Sequence, residues 1–150
     1  MAISDAAMKI ILKLQQNEVT EQAIYSNLAK RVKSQSEKDT LQRISKEEGI
    51  HSKIWEKYTN KKLTPNRLKV FFYTLLSIVF GYTFTIKIME KGEKNAQDIY
   101  TKLAAEVPEA KQIHKEEEEH EYALIALLDE ERLQYVGSMV LGLNDALVEL

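Results

Sequence analysis

The two halves of this chain repeat each other, and the repeated letters are residues that ligate metals. Residues 18–29 read EVTEQAIYSNLA and residues 93–104 read EKNAQDIYTKLA, sharing Glu, Gln, Ile, Tyr, a hydroxyl residue, Leu and Ala in register. A second matched pair follows: Lys46-Glu47-Glu48-x-x-His51 in the first half and Lys115-Glu116-Glu117-x-x-His120 in the second. Glu-x-x-His occurring twice, with a lone Glu upstream of each, is the donor set of a dinuclear carboxylate metal site built inside a four-helix bundle.

The remaining letters fix the class around that motif. Only Pro65, Pro108 and five glycines punctuate the chain, and apolar residues recur at helical spacing, so the fold is expected to be all-α. The first helix carries Ala7, Ile11, Leu14, Glu18, Glu21, Tyr25, Leu28 and Val32 at steps of four and three, a single face. The second, starting near Ser36 or Asp39, carries Leu41, Ile44, Glu48, His51, Trp55 and Tyr58. A third carries Ile86, Met89, Glu93, Ala96, Tyr100, Leu103 and Val107 and ends at the Glu-Val-Pro-Glu of 106–109. A fourth runs from about Pro108 into the 130s with Ala110, Ile113, Glu117, His120, Leu124 and Leu127. In each helix the apolar stripe gives way to Glu, or Glu and His, about halfway along, so the four interruptions are expected to meet at one level of the bundle.

A carboxylate in a core costs several kcal/mol unless it is paired or takes up a proton. Four of them and two imidazoles need a shared counter-charge. Two divalent cations supply +4 against the −4 of Glu18, Glu48, Glu93 and Glu117, with His51 and His120 coordinating as neutral imidazoles. Tyr25 and Tyr100 fall two turns after Glu18 and Glu93, where a phenol either hydrogen-bonds a ligand carboxylate or serves as a large core residue. Glu21, on the stripe one turn beyond Glu18, reads equally as a further ligand or as a salt-bridge partner at the bundle end. Glu90 sits off the seam. His114 lies outside the stripe and reads as a surface histidine, and Glu116, Glu118, Glu119 and Glu121 as a solvated face.

Composition narrows the function. With 21 basic and 23 acidic residues the net charge is −2, which leaves no basic footprint for nucleic acid. Without cysteine there is no thiolate metal site, iron–sulfur cluster or cysteine nucleophile. The amino end has no basic start, apolar run and small-residue cleavage site, so a cytoplasmic location is expected.

On the paired Glu-x6-Tyr and Glu-x-x-His motifs, which span residues 18 to 120, the chain resembles the di-iron domain of the rubrerythrin branch of the ferritin-like superfamily. The resemblance implies a ferritin-like four-helix bundle with a long crossover between helices two and three. It implies Glu18, Glu48, Glu93 and Glu117 as carboxylate ligands, Glu48 and Glu117 bridging, and His51 and His120 as nitrogen ligands of two iron ions, for which Mn or Zn can substitute. Two departures stand out. Rubrerythrins carry a carboxylate one turn after the third-helix ligand, where this chain has Ala96, and a four-cysteine iron module for electron delivery, which this chain lacks. The implied activity is binding of Fe(II) and its oxidation by O2 or hydrogen peroxide in iron homeostasis. The alternative is a non-enzymatic iron-binding or sensing module of a membrane iron transporter.

That transporter enters through the carboxyl end. Residues 133–150, LQYVGSMVLGLNDALVEL, resemble the opening of the first membrane helix of the vacuolar iron transporter family, whose members include fusions to ferritin-like domains. The expected organisation is therefore a di-iron domain over 1–132 and a truncated transporter-like helix over 133–150, either excised from a longer, membrane-tethered parent or a natural fragment. Between Val70 and Ile86 no residue is charged, a length at the lower limit for a membrane span but interrupted by Tyr, Thr, Ser and Gly. It is expected to form the crossover and the start of helix three, its apolar surface covered in a homodimer.

Overall fold

The computed structural model describes residues 3–91 and 96–148, with side chains placed for 3–90 and 98–142. The described residues are helical with no strand: α1 (Asp5–Ala29), α2 (Gln35–Thr59), α3 (Arg67–Phe80), α4 (Tyr82–Lys91), α5 (Ala96–Leu103) and α6 (Glu109–Val148). Local chemistry sets the boundaries. Ser4 caps α1 by accepting from the Ala7 amide at 3.1 Å, while its own amide and hydroxyl donate to Glu106 at 2.8 and 2.9 Å, pinning the α1 start to the α5–α6 connection. Asn60 ends α2 in the left-handed conformation (φ 51°), and Asn66 caps α3 through the Lys69 amide.

α1 and α2 form an antiparallel hairpin, held at one end by Thr59 donating to Gln15 (2.7 Å) and further along by Ser45 donating to the Gln22 carbonyl (2.8 Å). The loop after α2 is tied back by Gln15 and Gln16, which donate to the carbonyls of Lys61 and Thr64. α2 packs on α6, α6 on α5 and α5 on α1, closing a ring of four contacts, while α3 lies along α1 and α4 touches α6.

The uncharged stretch from Val70 to Ile86 comprises most of α3, a bend and the first half of α4. α3 and α4 meet at Gly81, whose φ of 86° and ψ of 162° lie in a region open almost only to glycine. The expected third helix is thus α4 and α5, and its stripe residues Ile86, Met89, Tyr100, Leu103 and Val107 are buried. Glu93 and the Ala96 side chain lie outside the described residues. Whereas Val70 and Tyr73 pack inward, Leu68, Phe71, Phe72, Leu75, Ile78 and Val79 of α3 are exposed. α6 runs unbroken through position 133, and residues 132–142 are exposed. No helix of the described residues is long and apolar enough to cross a membrane.

The core comes in two apolar blocks. One gathers Ile24, Tyr25, Leu28, Leu41, Ile44, Ile86, Met89, Leu124 and Leu127. The other gathers Ala7, Ile11, Trp55, Tyr100, Leu103, Val107, Ala110 and Ile113. On α1, α2 and α6 the residues numbered between the two blocks include Glu18, Glu48 with His51, and Glu117 with His120. Burying each large aliphatic side chain contributes about 1.5–3 kcal/mol, and the two blocks together hold a polar layer that would not assemble alone.

Candidate metal centre

Position along each helix, read from the sequence, delivers the donors to one level. Glu18 on α1, Glu48 and His51 on α2 and Glu117 on α6 each bring one ligand-type atom into a group in which all lie within 4.8 Å of one another. Glu18, Glu48, His51 and His120 are buried; Glu117, with 23% of its side chain exposed, stands at the edge.

Glu48 and Glu117 each divide their two oxygens between the two imidazoles. Glu48 places Oε2 3.7 Å from Nδ1 of His51 and Oε1 3.1 Å from Nδ1 of His120. Glu117 places Oε1 2.9 Å from Nδ1 of His51 and Oε2 3.8 Å from Nδ1 of His120. Glu18 adds Oε2 at 3.5 Å from Nδ1 of His51. The two rings lie roughly parallel, their centroids 5.7 Å apart.

Of these contacts, the one between Nδ1 of His120 and Oε1 of Glu48 is a hydrogen bond, and the others are not. Glu18 Oε2, Glu48 Oε2, His51 Nδ1 and Glu117 Oε1 are all buried without a hydrogen-bond partner, although they crowd together. Orphaned polar atoms of this kind are costly, and four converging ones need a shared partner. A cation is the partner their chemistry suits: carboxylate oxygen and imidazole nitrogen are ligands for iron, manganese and zinc.

The electrostatics of the cluster point the same way. Burial, reinforced by the neighbouring Glu48 carboxylate and opposed by His51, pushes the Glu18 carboxyl up to about 8. Burial also raises Glu117, against the pull of His51. For His120, burial works against the charged form, but Glu48, Glu117 and Glu47 outweigh it and push the imidazolium up to about 9. His51 moves further in the same direction, burial being overcome by Glu117, Glu18 and Glu48. The cluster retains protons that a cation would displace.

Around these donors sits a supporting set. Trp55 Nε1 and Tyr100 Oη both donate to Glu18 Oε1, at 3.3 and 3.4 Å, leaving Oε2 to face the cluster. Burial, with Glu18 and Glu117 nearby, pushes the Tyr100 phenol far above its ordinary value, so it stays a donor. Tyr25 lies within the apolar block of Ile24, Leu28, Leu41 and Ile44. Glu21 is half-buried and, with Asn17, Thr20, Lys69, Tyr73 and Met89, lines a cleft of about 140 Å³; it is not among the residues grouped around His51. Glu90 is half-buried near the end of α4.

Glu116, assigned to the solvated face by sequence, and Glu47, assigned no role there, both reach the imidazoles. Glu116 reaches across from α6 to Nε2 of His51 (2.7 Å), and its repeat counterpart Glu47 reaches from α2 to Nε2 of His120 (2.6 Å). Each half thus orients the imidazole of the other. A flanking position on one helix points sideways to solvent only until a neighbouring helix brings a partner alongside. The signal was the doubled Lys-Glu-Glu, which repeats the outer glutamate as faithfully as the inner one. His114, read as a surface histidine, is half-buried and stacks on Tyr100 with centroids 5.4 Å apart.

Comparison of the chain with protein-family models, with curated proteins and with solved structures found no match.

Proposed function

We propose that the chain is a ferritin-like, rubrerythrin-type di-iron protein that binds Fe(II) and oxidises it with O2 or hydrogen peroxide. The observation that carries this reading is the division of the Glu48 and Glu117 oxygens between two imidazoles, the disposition of carboxylates that bridge a pair of ions. Glu18, Glu48, His51, Glu117 and His120 would hold the ions, with Glu93 added from the sequence repeat. Bound iron would supply the one-electron couple for the reaction.

The chain's own residues do the rest. Glu18, Glu48 and Glu117 neutralise the cations, and Trp55 and Tyr100 hold Glu18 by one oxygen so that the other is free to ligate. Glu47 and Glu116 fix the tautomer and tilt of the imidazoles through Nε2. The apolar blocks to either side keep water from competing, and the partly exposed edge at Glu117 is where small solutes arrive. Two Fe(II) substrates give up two electrons, which with two protons convert O2 to hydrogen peroxide, or hydrogen peroxide to two waters. Residues 133–150, through their resemblance to a transporter helix, support a place beside a membrane iron transporter.

The test is anaerobic loading with Fe(II) followed by O2 or hydrogen peroxide, watching the near-ultraviolet absorption of ferric iron. A fast phase consuming two Fe(II) per chain is expected, slowing afterwards because no cysteine cluster returns electrons and resuming on addition of reductant. If two Fe(II) bind yet oxidise no faster than free Fe(II) with either oxidant, the chain is a binding or sensing module instead.

A further inference from the structure

The two halves of the centre match in their inner residues and differ one step further out. Glu116, which holds Nε2 of His51, takes a hydrogen bond on its other oxygen from Gln112 at 2.9 Å. Glu47, which holds Nε2 of His120, is gripped on both oxygens by Arg43 at 3.0 and 3.3 Å. Arg43 and Gln112 occupy the same place, four residues before each outer glutamate. One is a cation and the other a neutral amide.

That difference passes inward through the imidazoles. A carboxylate accepting from one ring nitrogen makes the opposite nitrogen a stronger donor to a metal. Glu116 keeps its full charge for His51, whereas Glu47 shares its charge with a guanidinium. Arg43 also repels any cation bound at the His120 end. Because 48% of the Arg43 side chain is exposed, solvent screens this pair, and the effect is graded rather than absolute.

We propose that Arg43 and Gln112 make the two metal positions unequal, the one at His51 filling first and the one at His120 holding the more readily exchanged ion. This rests on the dinuclear reading above. The two positions then differ in use, His51 retaining its ion and His120 serving as the point of entry and exit for a divalent cation.

The test titrates redox-inert Zn(II) into the metal-free chain by calorimetry, with imidazole nitrogen NMR to identify which histidine is metallated at one equivalent. Two steps about tenfold apart are expected, with His51 shifting first. Arg43→Gln should bring the steps together by strengthening the second, Gln112→Arg should weaken the first, and the double exchange should reverse the order. Arg43→Lys, which keeps the charge, should leave the two steps apart. Equal filling in the unmodified chain, filling of His120 first, or an unchanged ratio in Arg43→Gln overturns the proposal while two bound Zn(II) keep the dinuclear reading intact. Fewer than two Zn(II) per chain overturns both.

Discussion

Glu48 and Glu117 each face both imidazoles, so on the proposed dinuclear reading neither would belong to one metal position alone. Glu48→Ala or Glu117→Ala should therefore remove both metals in elemental analysis of the purified protein, whereas His51→Ala or His120→Ala should weaken one position more than the other. Retention of one tightly bound ion in Glu48→Ala would count against bridging. The protonation of the same residues sets a pH dependence. Glu18 and His120 both have folded values above their ordinary ones, at about 8 and about 9. The stability linked to Glu18 is present below about 4.5 and lost as pH rises through about 8; that linked to His120 is present below about 6.5 and lost through about 9. Metal-free protein should accordingly melt lower at about pH 9 than at about pH 6. Metal affinity should move the opposite way, rising over that range as protons leave the donors. Calorimetric scans with and without Zn(II) at the two pH values check both signs.

Gly81 is what allows an uncharged stretch of chain to be two helices rather than one. Its dihedrals fall where any side chain meets its own backbone, so Gly81→Ala should cost about 1–3 kcal/mol in chemical denaturation, although nothing else lies near the added methyl. The helix before it presents Leu68, Phe71, Phe72, Leu75, Ile78 and Val79 outward at spacings of three and four, a stripe suited to a second apolar surface. We propose a second copy of the chain as its cover. Phe72→Glu and Ile78→Glu should each convert a dimer to a monomer in sedimentation, because a buried interface would have to accept an unpaired charge. A monomer in the unmodified chain would dismiss the dimer.

At the scale of the whole molecule, three helices carry the candidate metal donors, and two apolar blocks hold them in one buried polar layer. A cation binding only the folded state should stabilise that arrangement by about 2.7 kcal/mol at a hundred times its dissociation constant. Adding Fe(II), Mn(II) or Zn(II) should raise the melting temperature, and a chelator should return it to the metal-free value. An unaltered melting temperature with all three ions would mean the polar layer is not a metal site.

The meeting of Glu18, Glu48, His51 and Glu117 could be read from spacing, because a helix places every third and fourth residue on one face and each lies midway along an apolar stripe; Glu93 falls outside the described residues. The all-helical class followed from the same period. Spacing within one helix says nothing about what a neighbouring helix brings to its flank, so the crossing of Glu47 to His120 and of Glu116 to His51 emerges only once α2 and α6 lie side by side. The same holds for His114 on Tyr100 and for Trp55 on Glu18. Gly81 was visible as a letter, but whether it bends the chain or merely sits in it depends on the φ that packing imposes. Which oxygen of Glu48 faces which imidazole is likewise a matter of tertiary geometry, since a side chain's last torsion is set by the groups that surround it.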